Sequence, residues 1–327
     1  METVNFTDIG GLKVGHAQNF EAATGCTVVI CEKGAVAGVD VRGGSPGTRE
    51  TDALNPVNIR QSIHAVLLAG GSAFGLDAAA GVTRYLEERH VGRDVKVTRV
   101  PIVCGAILFD LKCGDWRVRP DAEMGYRACR NAAAAAFPEG SVGAGTGATV
   151  GKIGGPEHAM KGGIGSLCLK TGQLMVGAVM AVNCVGDIYD PQEGRIIAGA
   201  RGPDGKTLAD SEEQMLRNYT DRTDFFSENT IIGVVATNAA LSKAQANRLA
   251  SVSQDGIART VRPSHTTFDG DTIFTMATGR VEADPNVVGL LAVRSVEGAI
   301  LRAVREATPL AGYPAWQSLP HPEASRR

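Results

Sequence analysis

Apolar and polar positions along this chain alternate between two kinds of pattern. Short β-branched, apolar runs predict strands at Thr27–Ile30, Ala35–Val41, His64–Leu68, Val95–Val103, Leu174–Val182, Thr230–Thr237 and Thr272–Thr278. The first two flank Gly34, which predicts a hairpin. A helical period appears over Ala73–Arg89, where Phe74, Ala78, Val82, Tyr85 and Leu86 share one face. Alanine-rich Asp121–Ala136 reads as a helix closed by Phe137-Pro138. Ser242 is placed to cap a helix running to about Arg259, and Asp284-Pro285 precedes a long helix over Asn286–Thr308. Residues 143–165 are dense in glycine and carry no period, which predicts either a long ordered loop or glycine-bulged strands. Residues 199–228 are polar and predict an exposed connecting segment, and Gly312–Arg327, with three prolines, predicts a loose tail. No internal repeat is evident. Strands and helices do not alternate regularly, so the pattern favours α+β layers over a doubly wound sheet.

Composition narrows the function classes. A length of 327 residues allows one large domain or two ordinary ones. The net charge of −2, from 33 basic and 35 acidic residues, excludes a broadly basic nucleic-acid surface. The start lacks a basic and apolar leader, and no apolar run is long enough to span a bilayer, so neither export nor membrane insertion is expected. Seven cysteines without CxxC spacing predict reduced, buried thiols in a cytoplasmic protein. Six histidines form no HExxH and no i, i+4 pair, so no metal and no cofactor are expected.

Several motifs invite chemistry and fail on spacing. Gly70-Gly71-Ser72-Ala73-Phe74-Gly75 sits between a strand and a helix like a nucleophile elbow, but Phe74 stands where the elbow needs glycine. A glycine turn packing helix on sheet is the plainer reading. Gly145 to Gly151-Lys152 resembles a P-loop with one residue too many and Ile153 in place of the hydroxyl residue. Asp269-Gly270-Asp271 lacks the further acids of a calcium loop. It is either a self-capped turn or a carboxylate pair able to orient an amine. Thr230 opens an apolar strand directly after a polar segment. It is an ordinary strand-starting threonine unless the 229–230 bond is cut. In that case its α-amine can serve as base for its own hydroxyl, and no histidine is needed.

These residues together resemble the L-aminopeptidase/D-esterase (DmpA-like) family of autoprocessed hydrolases, to which β-aminopeptidases and 6-aminohexanoate oligomer endo-hydrolases are related. The resemblance runs from Thr7 to about Ala307. It is carried by Thr7-Asp-Ile-Gly-Gly-Leu-Lys-Val-Gly-His16, Gly25-Cys-Thr-Val-Val, Val39-Asp-Val-Arg-Gly-Gly, Leu68-Ala-Gly-Gly-Ser-Ala-Phe-Gly-Leu and Asn229-Thr-Ile-Ile-Gly-Val-Val-Ala-Thr-Asn. It implies a four-layer αββα sandwich, also seen in ornithine acetyltransferase-like proteins. It implies a single hydrolase domain over 1–327, cut between Asn229 and Thr230 into subunits 1–229 and 230–327 and assembled as a homotetramer. By the resemblance Thr230 is the nucleophile of the threonine branch and Lys152 bonds the nucleophile region. Asn183 helps hold the oxyanion, and Asp269 and Asp271 orient the new amine and hydroxyl. Phe109 stands in the substrate pocket where some relatives place a tyrosine. The implied activity is release of N-terminal residues from short peptides, or cleavage of small amides, through an acyl-threonine. An acyltransferase using the same chemistry and a catalytically silent scaffold are the alternatives.

Overall fold

The computed structural model describes residues 1–219 and 229–320. Its principal elements are β1 (Lys13–Asn19), β2 (Thr24–Val41), β3 (Ser62–Ala69), α1 (Ala78–Glu87), β4 (Val103–Ile107), α2 (Ala122–Arg130), β5 (Gly163–Thr171), β6 (Leu174–Asn183), β7 (Thr230–Ala239), α3 (Lys243–Thr260), β8 (Thr272–Val281) and α4 (Pro285–Arg305). Hydrogen bonds link the strands in the order β5-β6-β7-β8-β2-β3-β4, with β1 on the first half of β2. The pairs β7/β8 and β3/β4 are parallel and the others antiparallel.

The alternation within each strand resolves this ladder into layers, because successive side chains point to opposite faces. Val28, Ile30, Ala65 and Leu67 pack against Val82 and Leu86 of α1 and Ala128 of α2. Their neighbours Val29, Val66 and Leu68 face the other way, onto Val179, Ile232, Val234 and Phe274. Ile231, Val235, Ala178 and Met180 turn outward again, against Ile257 of α3 and Val296 and Ile300 of α4. Three apolar interfaces therefore separate four layers, and the arrangement is αββα. Both faces of every central strand are covered, which is why the strands read as continuous apolar runs.

Both halves of the hairpin expected around Gly34 belong to one strand. Residues 24–30 of β2 lie between β1 and β3, and residues 36–41 pair with β8 in the other sheet. The register slips between Ile30 and Ala35, where Gly34 holds φ +81°. Glycine in that conformation suits a bulge as well as a turn, and long-range partners decide between them.

Other boundaries also moved. The helix expected over Asp121–Ala136 stops at Arg130 because Ala133 exchanges backbone hydrogen bonds with Val14. The first turn of the helix expected from Ala73 is a 3-10 segment, Ser72–Asp77. The run Val95–Val103 contributes only its end to β4, and Val97 is exposed. The glycine-dense stretch is mostly loop, with a short ladder of Thr149–Val150 on Met160–Lys161 before β5. The polar segment holds a short helix, Ser211–Arg217; its residues 220–228 lie outside the described residues. The tail is anchored as far as 320: Lys161 N donates to Pro314 O at 2.8 Å and Ala315 is buried. Residues 321–327 lie outside the described residues. Ser242 caps α3 as expected, and Asp284, expected only to precede α4, caps it through its side chain.

Candidate active site

Topology explains why distant residues meet. Thr230 is the first residue of β7 and lies in register with Asn183, the last residue of the antiparallel β6. Parallel β8 begins beside it at Thr272, so the loop Asp269-Gly270-Asp271 arrives at the same edge, and Asn229 bridges to Asp269. Lys152 is held near by its own backbone, whose N–H donates to Val185 O at 2.9 Å.

Asn183 is fully buried and saturated on its oxygen side. Its Oδ1 accepts from Lys152 Nζ at 2.9 Å and from Thr149 N at 3.0 Å. Its Nδ2 donates to Phe109 O at 3.0 Å. Lys152 Nζ also donates to Asn183 O at 2.9 Å. Phe109 enters through its main-chain carbonyl, on a half-buried residue.

Asp271 is buried, with Oδ1 accepting from Ile231 N and Oδ2 beside His265 Nδ1, both at 2.7 Å. Asp269 Oδ2 accepts from Thr266 N and Thr266 Oγ1, each at 2.7 Å. Its buried Oδ1 has no hydrogen-bond partner among the described residues.

Electrostatics poise this cluster near neutrality. Burial pulls the Lys152 amine down to about 7, against the attraction of Asp269. Burial, aided by the neighbouring Asp271 charge, pushes the Asp269 carboxyl up to about 6. Burial thus shifts both groups toward their uncharged forms.

The scissile geometry centres on the carbonyl of Asn229. The Thr230 hydroxyl hydrogen-bonds this oxygen, which also accepts from Gly270 N at 2.8 Å. A Cβ on Gly270 would lie 2.9 Å from Thr230 Oγ1 and 2.7 Å from Ser45 O, so only glycine allows this approach. The arrangement pairs an alcohol with its own preceding carbonyl, an amide donor on that carbonyl, and a buried amine of lowered pKa.

All the site residues expected from sequence, Thr230, Asn229, Asn183, Lys152, Asp269, Asp271 and Phe109, fall in this one region. Four contributors were not expected: the Gly270 and Thr149 amides, the Phe109 carbonyl and His265. For His265 a signal existed, since it shares the short segment that delivers the two aspartates. Elsewhere, the Gly70-Gly71 turn is held by Asp110, which accepts from Gly71 N and Thr24 Oγ1 at 2.7 Å each, in keeping with a packing turn.

The sequence pattern of peptidase family S58 matches residues 5–316. The chain belongs to peptidase family S58. An uncharacterized aminopeptidase of Mycobacterium leprae is 42% identical over 344 residues, covering 95% of this chain and 93% of the relative. A 6-aminohexanoate-oligomer endohydrolase of Kocuria sp. is 30% identical over 321 residues, covering 93% and 86%. Among solved structures, the L-aminopeptidase D-Ala-esterase/amidase of Ochrobactrum anthropi, described as a variant of the Ntn-hydrolase fold, superposes with TM-score 0.69 at 20% identity. It covers 93% of this chain and 86% of that one. That likeness shows the fold, and the αββα layering agrees with it. This S58 chain is a hydrolase of peptide or amide bonds. No helix among the described residues is long and apolar enough to cross a membrane.

Proposed function

We propose that the chain cuts itself between Asn229 and Thr230, and that Thr230 then serves as both nucleophile and base in an amidase acting on N-terminal residues of short peptides or on small amides. The observation that carries this reading is the Thr230 hydroxyl lying against an Asn229 carbonyl already held by the Gly270 amide. In the uncut chain Thr230 Oγ1 attacks the Asn229 carbonyl carbon. The oxyanion forms on an oxygen that Gly270 N–H already holds, and the hydroxyl proton passes to neutral Lys152. The C–N bond breaks as the nitrogen takes a proton, leaving an ester on Thr230 Oγ1. Water hydrolyses the ester, freeing the Asn229 carboxylate and the Thr230 α-amine. Asp269 Oδ1, which has no hydrogen-bond partner among the described residues, is a ready acceptor for the new ammonium.

The freed amine then takes the hydroxyl proton as Thr230 attacks a substrate amide, and water releases the acyl group. Asn183, whose Nδ2 keeps a second hydrogen beyond that given to Phe109 O, steadies the substrate oxyanion. Amino-terminal sequencing of the purified protein tests the reading: a second terminus beginning Thr-Ile-Ile-Gly supports it, and a single terminus in an active preparation overturns it. The names of the relatives, aminopeptidase and oligomer endohydrolase, support a panel of N-terminal amides and ω-amino oligomers as first substrates. The reading extends to a cytoplasmic homotetramer of two-piece units. The free, buried state of all seven cysteines supports a reducing compartment. Light scattering on the cleaved protein tests the assembly.

Two further outcomes follow from the site. Asn183→Ala lowers kcat about 10²-fold with little change in KM, measured by steady-state kinetics; a pure KM effect would contradict the oxyanion role. His265→Ala removes one of the two bonds that hold the Asp271 carboxylate and lowers both self-cleavage and kcat about tenfold, while His265→Gln recovers part of the loss. Equal loss in Ala and Gln variants, or unchanged rates in both, would rule out that bond as the cause.

A further inference from the structure

A polar cavity lies at the opposite end of β3 from the catalytic cluster. Ala69 leads through Gly70-Gly71 to Asp110 beside the site, whereas Ser62 and His64 open the strand about 20 Å away. The cavity has a volume of about 380 Å³ and is walled by Lys33, Arg60, Arg93, Ser62 and His64. No aspartate or glutamate lines it, and Lys33, Arg60 and Arg93 form no ion pair among the described residues. Three unneutralised cations around one hollow stand out in a chain whose net charge is −2.

His64 supplies the independent observation. The residue is 6% exposed, and its Nδ1 accepts from Ile102 N at 3.1 Å. Nδ1 being the acceptor, the neutral ring carries its proton on Nε2. Burial and the Arg99 charge both lower the His64 pKa, which keeps the ring neutral. Nε2 has no hydrogen-bond partner among the described residues, so a buried ring presents an unused N–H donor to the cavity. Gly34 leaves that approach open: a Cβ there would stand 3.1 Å from Ser62 Oγ and 3.8 Å from His64 Nε2.

We propose that this cavity is a binding site for a small phosphorylated molecule, its phosphate held by Arg60, Arg93 and Lys33 with the His64 Nε2–H and Ser62 hydroxyl beneath. Guanidinium forks match phosphate oxygens bidentately, and a dianion matches three cations better than one carboxylate does. The volume exceeds that of phosphate alone and leaves room for a short organic substituent. No catalytic step takes place here, and the site stands whether or not Thr230 is the nucleophile.

The test is a thermal-shift and ³¹P NMR titration of the full chain with inorganic phosphate and, separately, glycerol phosphate, at ionic strength fixed with NaCl. The expected result is a saturable rise in Tm and ³¹P line broadening, with Kd of about 1 mM or tighter. The affinity falls at least about tenfold in the double variant Arg60→Ala/Arg93→Ala, which keeps wild-type amide turnover. Lys33→Glu gives a second, single-site check in case the double variant folds poorly. A stronger response to one ligand identifies free or esterified phosphate as the better occupant. No saturable response in the wild type, or an equal response in the variants, overturns the site.

Discussion

Thr230→Ala is expected to run as one full-length band on a denaturing gel and to lose amide turnover by about 10⁴-fold or more. The wild type is expected to resolve into pieces 1–229 and 230–327. The substitution removes the attacking oxygen and leaves the fold intact, because Thr230 contributes to the ladder through its backbone. Thr230→Ser keeps the oxygen and is expected to cleave. Slower cleavage is expected there, since serine lacks the β-branch that restricts the hydroxyl to few rotamers. An uncut wild type with full activity would sink the self-cleavage reading. A cut Thr230→Ala would show that another group performs the cleavage. The two outcomes are separable by amino-terminal sequencing of the same samples.

Strands were legible in the sequence where burial on both faces leaves a continuous apolar run, as at Leu174–Val182 and Thr230–Thr237, while their four-layer stacking was implied only by the family resemblance. A cap was legible where one side chain does the capping, as at Ser242. The course of β2 was not, because Glu32-Lys33-Gly34 satisfies a turn and a bulge equally and only partners far along the chain choose between them. The early end of α2 has the same origin: alanines favour helix locally, and pairing of Ala133 with Val14 overrides the preference.

The site divides along the same line. Thr230 and the two aspartates stood out by their own sequence context, whereas Lys152 and Asn183 were placed only by the family resemblance. Main-chain donors and acceptors were not visible, since the Gly270 N–H and the Phe109 carbonyl carry no mark in the sequence. Gly270 was visible only as part of a turn. Its function in the geometry depends on lacking a side chain, which lets the backbone approach Thr230 Oγ1.

Lys152→Met is expected to slow self-cleavage about 10³-fold and to flatten its pH dependence. In the wild type the base forms of Asp269 and Lys152 emerge as pH rises through about 6 and about 7. The rate of band conversion is therefore expected to climb between about pH 6 and 8 and then level off. The stability signs run in opposite directions and make the variant interpretable. The Lys152 value is depressed relative to the unfolded chain, so its contribution is lost as pH falls through about 7 and is regained toward about 10. The Asp269 value is raised, so its contribution is present below the ordinary carboxylate range and lost as pH rises through about 6. Methionine, similar in length and uncharged, removes the cost of a buried ammonium at low pH. The variant should thus match or exceed the wild type in denaturant midpoint at pH 6 while failing to cut itself. A Lys152→Met chain that cleaves at the wild-type rate, with the wild-type pH profile, would remove lysine from the proton path. It would leave Asp269 as the other group of the catalytic cluster that titrates in this range.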